Sequence, residues 1–261
     1  MPIEEAAAAS AEFLGLQFST APIDQVLQAL ARSRGDAPFG YVVTPNVDHM
    51  VRLTGLQAED PEHDRLWQVY RGADARLCDS RILALLARLR GVTLPVVPGS
   101  ELTQRLFDEA IREGDAVTII GGREDALRLL RSRYPGVAFR QHIPPMGLRR
   151  NAAAMDDAAA FVRAQPARFV FLAVGSPQQE LLAGRIKAEG GATGIGLCIG
   201  AAIDFIVGTE KRAPRIMQKM ALEWAYRLGS DPRRFWRRYL VEGPKIFRAV
   251  ARWKPGQDRF G

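Results

Sequence analysis

The sequence predicts a fold in which helices flank a mainly parallel β-sheet, followed by a basic helical appendage. Between about residues 22 and 199, short apolar runs alternate with amphipathic helical patterns, which is typical of parallel α/β proteins. Residues 211–261 contain 14 Lys or Arg against 4 Asp or Glu, whereas the whole chain has a net charge of +7. The preceding residues therefore sum to about −3. We predict an α/β body over 1–208 and an appendage over 209–261.

The first half of the body contains strands and helices separated by clear stop and cap signals. Apolar residues recur at helical spacing from Ile23 to Leu30, which predicts the first helix. Pro45 stops the next apolar run, and Asn46 can cap the helix that follows. Ser80 can cap a helix in the same way. The predicted strands are 41–43, 75–78 and 94–97, and the predicted helices are 22–33, one after Asn46, 61–71 and 81–90.

In the second half, each apolar run ends at Gly or Pro before an amphipathic segment. Examples are the turns Gly121-Gly122 and Gly175-Ser-Pro177, since such residues end strands. The repeated order of strand, turn and helix predicts a Rossmann-like sheet. The predicted strands are 116–120, 137–139, 168–173 and 194–199, and the predicted helices are 101–113, 123–133, 152–164 and 178–188.

Composition indicates an ordinary globular protein of the cytoplasm. Hydrophobic residues make up 47% and charged residues 25% of 261 residues, and no apolar run reaches the length of a transmembrane helix. Residues 1–12 are acidic and Ala-rich, unlike a signal peptide. Cys78 and Cys198 lie in apolar runs, which predicts buried thiols. Two Cys and three scattered His give no metal-ligand spacing, so we expect neither a metal nor a cofactor.

Polar residues that follow the predicted strands are the candidates for a ligand site, because parallel α/β sheets bind ligands at the carboxyl ends of their strands. Gly-rich turns there can bring backbone N–H groups close to a phosphate. Side-chain amides suit sugar hydroxyls, which need donors and acceptors together. The candidates are Thr44, Asn46, Asp79, Gly121, Gly122, Gln178, Gln179, Glu180 and the segment 200–204.

Two of these candidates have structural alternatives. Asp79 could act as a general base with a pKa set by a partly apolar site, or it could cap the following helix. Gly121-Gly122 could bind a phosphate or form a tight turn between strand and helix. The sequence contains neither a complete dinucleotide fingerprint nor a P-loop, and both alternatives stay open.

The appendage combines positive charge with aromatic residues. In 244–253 an apolar stripe runs beside basic residues, which is the pattern of a helix at a membrane interface. A solvated charged face and a nucleic-acid patch are the alternatives. The latter would make the protein a non-enzymatic nucleic-acid-binding module, but the sequence contains no nucleic-acid-binding motif. The stripe consists of Ile246, Phe247, Val250 and Trp253.

Several of these segments, taken in order, resemble the WecG/TagA/CpsF family of bacterial glycosyltransferases. The resemblance covers about residues 40–240 and is most specific from Gly175 to Tyr239. The segments that carry it are Thr44-Pro-Asn46, Asp79, Gly121-Gly122, Gly175-Ser-Pro-Gln-Gln-Glu180, Gly194-Ile-Gly196, Asp204-Phe205, Arg212-Ala-Pro214 and Glu223-Trp-Ala-Tyr-Arg227.

This resemblance implies an enzyme of cell-surface polysaccharide synthesis, such as exopolysaccharide. The implied reaction is an inverting, metal-independent transfer of a sugar from a UDP-sugar to a polyprenyl-diphosphate-linked acceptor sugar. The implied location is peripheral, on the anionic inner face of the cytoplasmic membrane. No nucleic-acid partner is expected, and a homo-oligomer is compatible with the resemblance.

The resemblance also implies roles for individual residues. Asp79 resembles the family's catalytic base, and Thr44, Asn46 and Gln179 resemble its substrate-positioning residues. Without metal ligands, fixed arginines and helix N-termini must stabilise the diphosphate leaving group. The expected nucleotide-sugar-binding residues are Gly121, Gly122, Gly175, Gly200, Asp204, Arg212, Arg227, Arg234 and Arg237. The expected membrane contacts are Lys245, Phe247, Arg248, Arg252 and Trp253.

Three positions depart from the family pattern near the presumed donor site. Family members often have Gly where this chain has Ser80, Arg where it has Val96, and Asp where it has Glu101. The sugar could be N-acetylmannosamine, its uronic acid or a hexose such as glucose. Because Val96 removes one partner for a uronate carboxylate, the sequence favours a hexose or an N-acetylhexosamine.

Overall fold

The computed structural model describes residues 2–55, 61–209, 213–214, 216–217 and 220–256. Its centre is a six-stranded sheet in which every neighbouring pair of strands is parallel. The strands are β3 (Gly40–Val43), β4 (Ala75–Arg76), β5 (Ala116–Gly121), β6 (Ala138–His142), β7 (Phe169–Ala173) and β8 (Ile195–Cys198). They lie in the order β4-β3-β8-β7-β5-β6. The predicted α/β fold with a parallel sheet is confirmed.

Helices connect the strands and cover both faces of the sheet. Predicted caps are present: Asn46 Oδ1 accepts from His49 N, and Ser80 Oγ accepts from Leu83 N. The helices of the body are α1 (Pro2–Ala8), α2 (Ile23–Ala31), α3 (Val47–Leu53), α4 (Pro61–Gly72), α5 (Arg81–Leu89), α6 (Gly99–Arg105), α7 (Ala126–Arg133), α8 (Ala152–Ala164), α9 (Gln178–Glu189) and α10 (Ala202–Ile206). A π-helical turn, Leu106–Ala110, extends α6, and a 3₁₀ turn, Leu148–Arg150, precedes α8.

The sheet separates two hydrophobic layers. Successive side chains of a strand point to opposite faces, and β3 shows this alternation: Tyr41 and Val43 belong to one core cluster and Val42 to the other. Helices α3, α4, α5, α8 and α9 contribute to the first cluster, and α1, α2, α6, α7 and α10 to the second. Strands buried on both faces explain the nearly continuous apolar runs of the sequence.

The structure also contains elements that the sequence analysis did not predict. Before α2, a hairpin of β1 (Ser10–Phe13) and β2 (Leu16–Ser19) pairs in antiparallel register. Its turn places both Leu14 and Gly15 at positive φ. The predicted strand over 94–97 is reduced to one bridge, between Val96 and Cys78.

The appendage is helical, as predicted, but its last helix is part of the main core. It contains α11 (Glu223–Ser230), α12 (Pro232–Trp236), a π-helical turn (Arg237–Glu242) and α13 (Lys245–Arg252). Ile246, Val250 and Trp253 are buried in the cluster that also contains Phe13. Within the described ranges, none of the helices combines the length and hydrophobicity needed to cross a bilayer.

The prediction that Trp253 contacts a membrane is therefore wrong. Its side chain is 1% exposed, and its ring meets that of Phe13 edge-on at a centroid distance of 5.1 Å. Arg90 Nη2 also donates to Trp253 O at 2.8 Å. Three of the four stripe residues, Ile246, Val250 and Trp253, face protein and belong to the core cluster, whereas Phe247 is exposed. The core side of α13 packs near α3, and Trp253 contacts Phe13 of the hairpin.

Candidate active site

The carboxyl ends of the sheet strands bring most of the predicted site residues to one edge. Because the sheet is parallel and ordered β4-β3-β8-β7-β5-β6, the residues that follow β4, β3, β8, β7 and β5 lie side by side there. Hydrogen bonds join neighbouring ends: Asp79 N donates to Pro45 O at 3.0 Å, and Thr44 Oγ1 donates to Cys198 O at 3.1 Å. The loops that follow β4, β3 and β8 are therefore directly connected to one another.

Among the carboxylates at this edge, Asp79 has the largest shift in pKa. Desolvation by the surrounding protein, which is the largest cause, and the negative charge of Glu223 together raise the pKa of Asp79 to about 7. The residue as a whole is half-buried. A hydrogen bond from Gly99 N to Oδ1, at 3.2 Å, opposes the rise, as do the charges of Arg227 and Arg238. An Asp that titrates near neutrality can exchange protons with a substrate hydroxyl.

The structure also separates the two interpretations of Asp79. Ser80, not Asp79, provides the side-chain cap of α5, with its Oγ 3.2 Å from Leu83 N. The carboxylate of Asp79 instead reaches across to Gly99, the first residue of α6. Asp79 is therefore free of the capping role that the sequence left open, although it still orders the loop before α6.

The appendage lies close to Asp79 and brings charges to it. Glu223 and Arg227 of α11, and Arg238 of the π-helical turn, all act on the titration of Asp79. Arg238 Nη2 lies 3.6 Å from Asp48 Oδ2, which also pairs with Arg52 at 3.1 Å. In the described part of the chain, the buried Nε of Arg238 has no hydrogen-bond partner.

Arg237 was predicted to face the site, but in the structure it is Arg238 that faces the body of the protein. The Arg237 side chain is 75% exposed and lies 3.7 Å from Glu242, whereas that of Arg238 is 34% exposed and meets the body at Asp48. Arg238 was not among the residues predicted from the sequence. The turn over Arg237–Glu242 is π-helical, so the side chains that share a face there differ from those of a regular α-helix. Arg212 and the side chain of Arg234 lie outside the described part of the structure.

Thr44 and Asn46 use their side chains within the protein. Thr44 is buried and donates to the last carbonyl of β8, Cys198 O. Asn46 Oδ1 accepts from Asp48 N at 3.0 Å and from His49 N at 3.3 Å, and so caps α3. Both residues lie at the edge as expected, and both hold backbone there.

Gln179 is also buried and bonded internally. Its side chain is 2% exposed. Oε1 accepts from Gly200 N at 3.0 Å, and Nε2 donates to Glu180 Oε1 at 2.9 Å. The first turn of α9 is thereby joined to the loop that follows β8.

The glycines of the edge divide into structural and accessible positions. A Cβ on Gly121 would lie 2.7 Å from Ala173 O, so β5 and β7 can approach this closely only with Gly there. Gly122 lines an open cavity of about 500 Å³ together with Arg123, Glu124 and Asp125. Asp204 of α10 lies close enough to act on Arg123, whose pKa is raised by Asp125 first and by Asp204 after it.

Two of the backbone N–H groups expected to bind phosphate, those of Gly122 and Gly200, are already engaged. Gly122 N donates to Ala173 O at 3.4 Å, and Gly200 N donates to Gln179 Oε1. Gly175, at positive φ, accepts at its carbonyl from Gln179 N at 3.0 Å. These contacts leave side-chain cations as the better placed partners for an anionic ligand.

On the outer surface of α13, four of the five predicted membrane contacts are exposed: Lys245, Phe247, Arg248 and Arg252. Phe247 is 59% exposed, and Trp236 and Leu240 of the appendage are 51% and 55% exposed. No group of three or more potential His, Cys, Asp or Glu metal ligands occurs among the residues described.

Comparison with known proteins adds one finding to this geometry. The model of a family described as the Glycosyl transferase WecG/TagA/CpsF family matches residues 11–259. The match covers the hairpin, the whole sheet and nearly all of the appendage. It therefore includes both Asp79 and the charged residues of α11 and the π-helical turn that lie over it.

Proposed function

The chain belongs to the WecG/TagA/CpsF family of glycosyltransferases, which act in cell-surface polysaccharide synthesis. We propose that it transfers a sugar from a UDP-sugar to a polyprenyl-diphosphate-linked acceptor and that the configuration at the anomeric carbon is inverted in the transfer. The observation that supports the proposal is Asp79, a strand-end carboxylate whose pKa is raised to about 7 mainly by desolvation and on which the charges of Arg227 and Arg238 in the appendage also act. Membership of the family implies a sugar donor and an acceptor. The identity of the nucleotide, the lipid on the acceptor and the inversion at the anomeric carbon are proposed in addition.

In this mechanism Asp79 is the general base. The ionised carboxylate takes the proton from the acceptor hydroxyl as the oxygen attacks the anomeric carbon of the donor, and the bond to the diphosphate breaks on the opposite face. A base of pKa about 7 combines a useful ionised fraction at neutral pH with enough basicity to accept the proton.

Arg227 and Arg238 are the groups best placed to stabilise the departing diphosphate. Both exert positive charge at Asp79, and the buried Nε of Arg238 has no partner in the described residues. Guanidinium groups donate to phosphate oxygens in a fixed planar geometry. The engaged N–H groups of Gly122 and Gly200 favour arginines over backbone for this task.

We place the donor along the β5–β8 side of the edge and the acceptor beneath the appendage. The cavity at Gly122 and Arg123, with Asp204 nearby, offers charged groups for the nucleotide and sugar. The lipid of the acceptor requires an opening toward a membrane. The exposed apolar residues Trp236, Leu240 and Phe247, surrounded by Arg and Lys, have the composition of a surface that binds anionic lipid.

The decisive experiment is a screen of UDP-sugars with a short-chain lipid-diphosphate acceptor, with product anomers assigned by NMR. We expect turnover with a UDP-hexose or UDP-N-acetylhexosamine, including the N-acetylmannosamine donor, and inversion at the anomeric carbon. Preference for a UDP-uronic acid would refute the inferred sugar class, and retention would refute the single displacement. Salt-sensitive nucleic-acid binding without turnover of any donor would instead favour the non-enzymatic alternative.

A further inference from the structure

Glu180 is a buried charged residue that the proposed mechanism does not use. Its side chain is 0% exposed, and it follows Gln179 in the first turn of α9. Among the described residues, Glu180 Oε2 has no hydrogen-bond partner, and Oε1 accepts from Gln179 Nε2 at 2.9 Å. A buried carboxylate with a single such contact costs stability, so its presence calls for a compensating function.

The contact continues from Glu180 to the loop that follows β8. Gln179 Oε1 accepts from Gly200 N at 3.0 Å. Gly200 has positive φ and begins the turn that leads into α10, which carries Asp204. Thr44 Oγ1 holds the same strand end from the other side, through Cys198 O at 3.1 Å. The end of β8 is thus braced between Thr44 and the Glu180–Gln179 pair.

The chemistry of the pair fixes which end of the Gln179 amide meets Gly200. A carboxamide has a donating and an accepting end of nearly equal size, so packing alone does not orient it. A carboxylate oxygen without a proton can only accept, and Glu180 Oε1 lies 2.9 Å from Gln179 Nε2, so it meets the NH₂ end of the amide. With Nε2 turned to Glu180, Oε1 must face Gly200, whose N–H needs an acceptor.

We propose that Glu180 is a positioning residue for the transferase: it orients the Gln179 amide, which in turn holds the loop at Gly200 in the shape that places α10 beside the donor. The effect on catalysis rests on the proposed function, whereas the effect on the Gly200 amide does not. Gln179 accordingly acts on substrate through this loop, and not by direct contact.

The test exchanges the two side chains. E180Q replaces the carboxylate that accepts from the Gln179 amide, and Q179E places two carboxyl groups side by side. The double variant Q179E/E180Q restores both contacts with the two side chains exchanged: the carboxylate at 179 accepts from Gly200 N and from the amide at 180. E189Q is the matched control, because Glu189 lies at the other end of α9 and pairs there with Arg163 and Arg185.

We expect each single variant to lower kcat/KM for the donor by ~10- to 100-fold, the effect of a small misplacement in a site, with the acceptor KM unchanged. The double variant should recover to within a few-fold of wild type, and E189Q should match wild type. E180Q should be no less stable than wild type in thermal unfolding, because a buried charge has been removed. A purely structural role predicts the reverse, a loss of stability with activity following it.

Hydrogen exchange supplies a readout that does not depend on the reaction. The Gly200 amide, followed by NMR or by mass spectrometry of its peptide, should exchange faster in E180Q and in Q179E and regain protection in the double variant. If the double variant is folded but recovers neither protection nor activity, or if E180Q matches wild type in both, the proposal is overturned. If protection follows the pattern in a protein that transfers no sugar, the brace stands and the proposed function fails.

Discussion

Asp79 illustrates, at the scale of a single residue, how burial changes the chemistry of a common side chain. Because its folded-state pKa of about 7 lies above the ordinary value of an Asp, the folded state binds more protons than the unfolded state between about pH 4 and 7. Above neutral pH the ionised carboxylate therefore lowers the stability of the folded state. The same ionised form is the one that would act as a base.

This leads to a prediction for D79N. Transfer activity should fall by ~10²–10⁴-fold, the usual loss for a general base, while the melting temperature at pH 8 should equal or exceed that of wild type. Between pH 5 and 8 the melting temperature of wild type should fall relative to D79N. Calorimetry over this pH range measures it. Near-normal kcat in D79N would leave Asp79 as a loop-ordering residue and make Asp204 the next candidate base.

The charges around Asp79 predict opposite pH shifts in two variants. Glu223 raises the pKa of Asp79 and Arg238 lowers it, so E223Q should move the acidic limb of the kcat/KM profile to lower pH and R238Q to higher pH. R237Q is the control, since Arg237 points to solvent, and it should leave the limb in place. The same shift in all three variants would mean that the appendage does not reach Asp79 in solution.

At the scale of elements, α13 packs one side against the core and exposes the other side to solvent. Its inner side belongs to the core through Ile246, Val250 and Trp253, and its outer side exposes Phe247. W253A should therefore destabilise the protein by ~3–5 kcal/mol, or roughly 10 °C in melting temperature, whereas F247A should change it little. Equal melting temperatures for the two variants would place α13 away from the core. A deletion of residues 243–261 is not a suitable test of membrane binding. It would also remove Ile246, Val250 and Trp253 from the core, so a loss of binding could result from unfolding.

At the scale of the whole molecule, we predict that the charge asymmetry and the exposed apolar side chains of the appendage form a surface that binds lipid. We expect binding to anionic vesicles that weakens with salt. F247E should reduce it by ~10- to 100-fold, since it removes apolar burial and adds a negative charge. M146E is the control, because Met146 is 99% exposed and lies outside the appendage. Equal losses in both variants would indicate a general charge effect and contradict a specific surface around Phe247.

Much of the architecture could be predicted from local sequence patterns. Apolar runs ending at Gly, Pro or Asn predicted the parallel sheet. The helix over 152–164 and the caps Asn46 and Ser80 lie where the sequence predicted them. The β1–β2 hairpin was missed, because its turn at Leu14 and Gly15 is not one of the Asn-Gly or Asp-Gly pairs that mark a hairpin in a sequence. Its stability comes from contacts distant in sequence, such as Phe13 with Trp253.

By itself, the sequence determined which residues gather at the edge of the sheet, because parallel strands bring all their carboxyl ends to one side. Only the tertiary structure decided how those residues are used. An apolar stripe shows that a helix has a hydrophobic side, but lipid and protein core satisfy it equally, and here Phe13 of the hairpin packs against Trp253. A run of arginines likewise does not show which one faces inward, and a π-helical turn selected Arg238 over Arg237. Burial and the field around Asp79 depend on segments far apart in the chain, and only their packing sets the pKa of a candidate base.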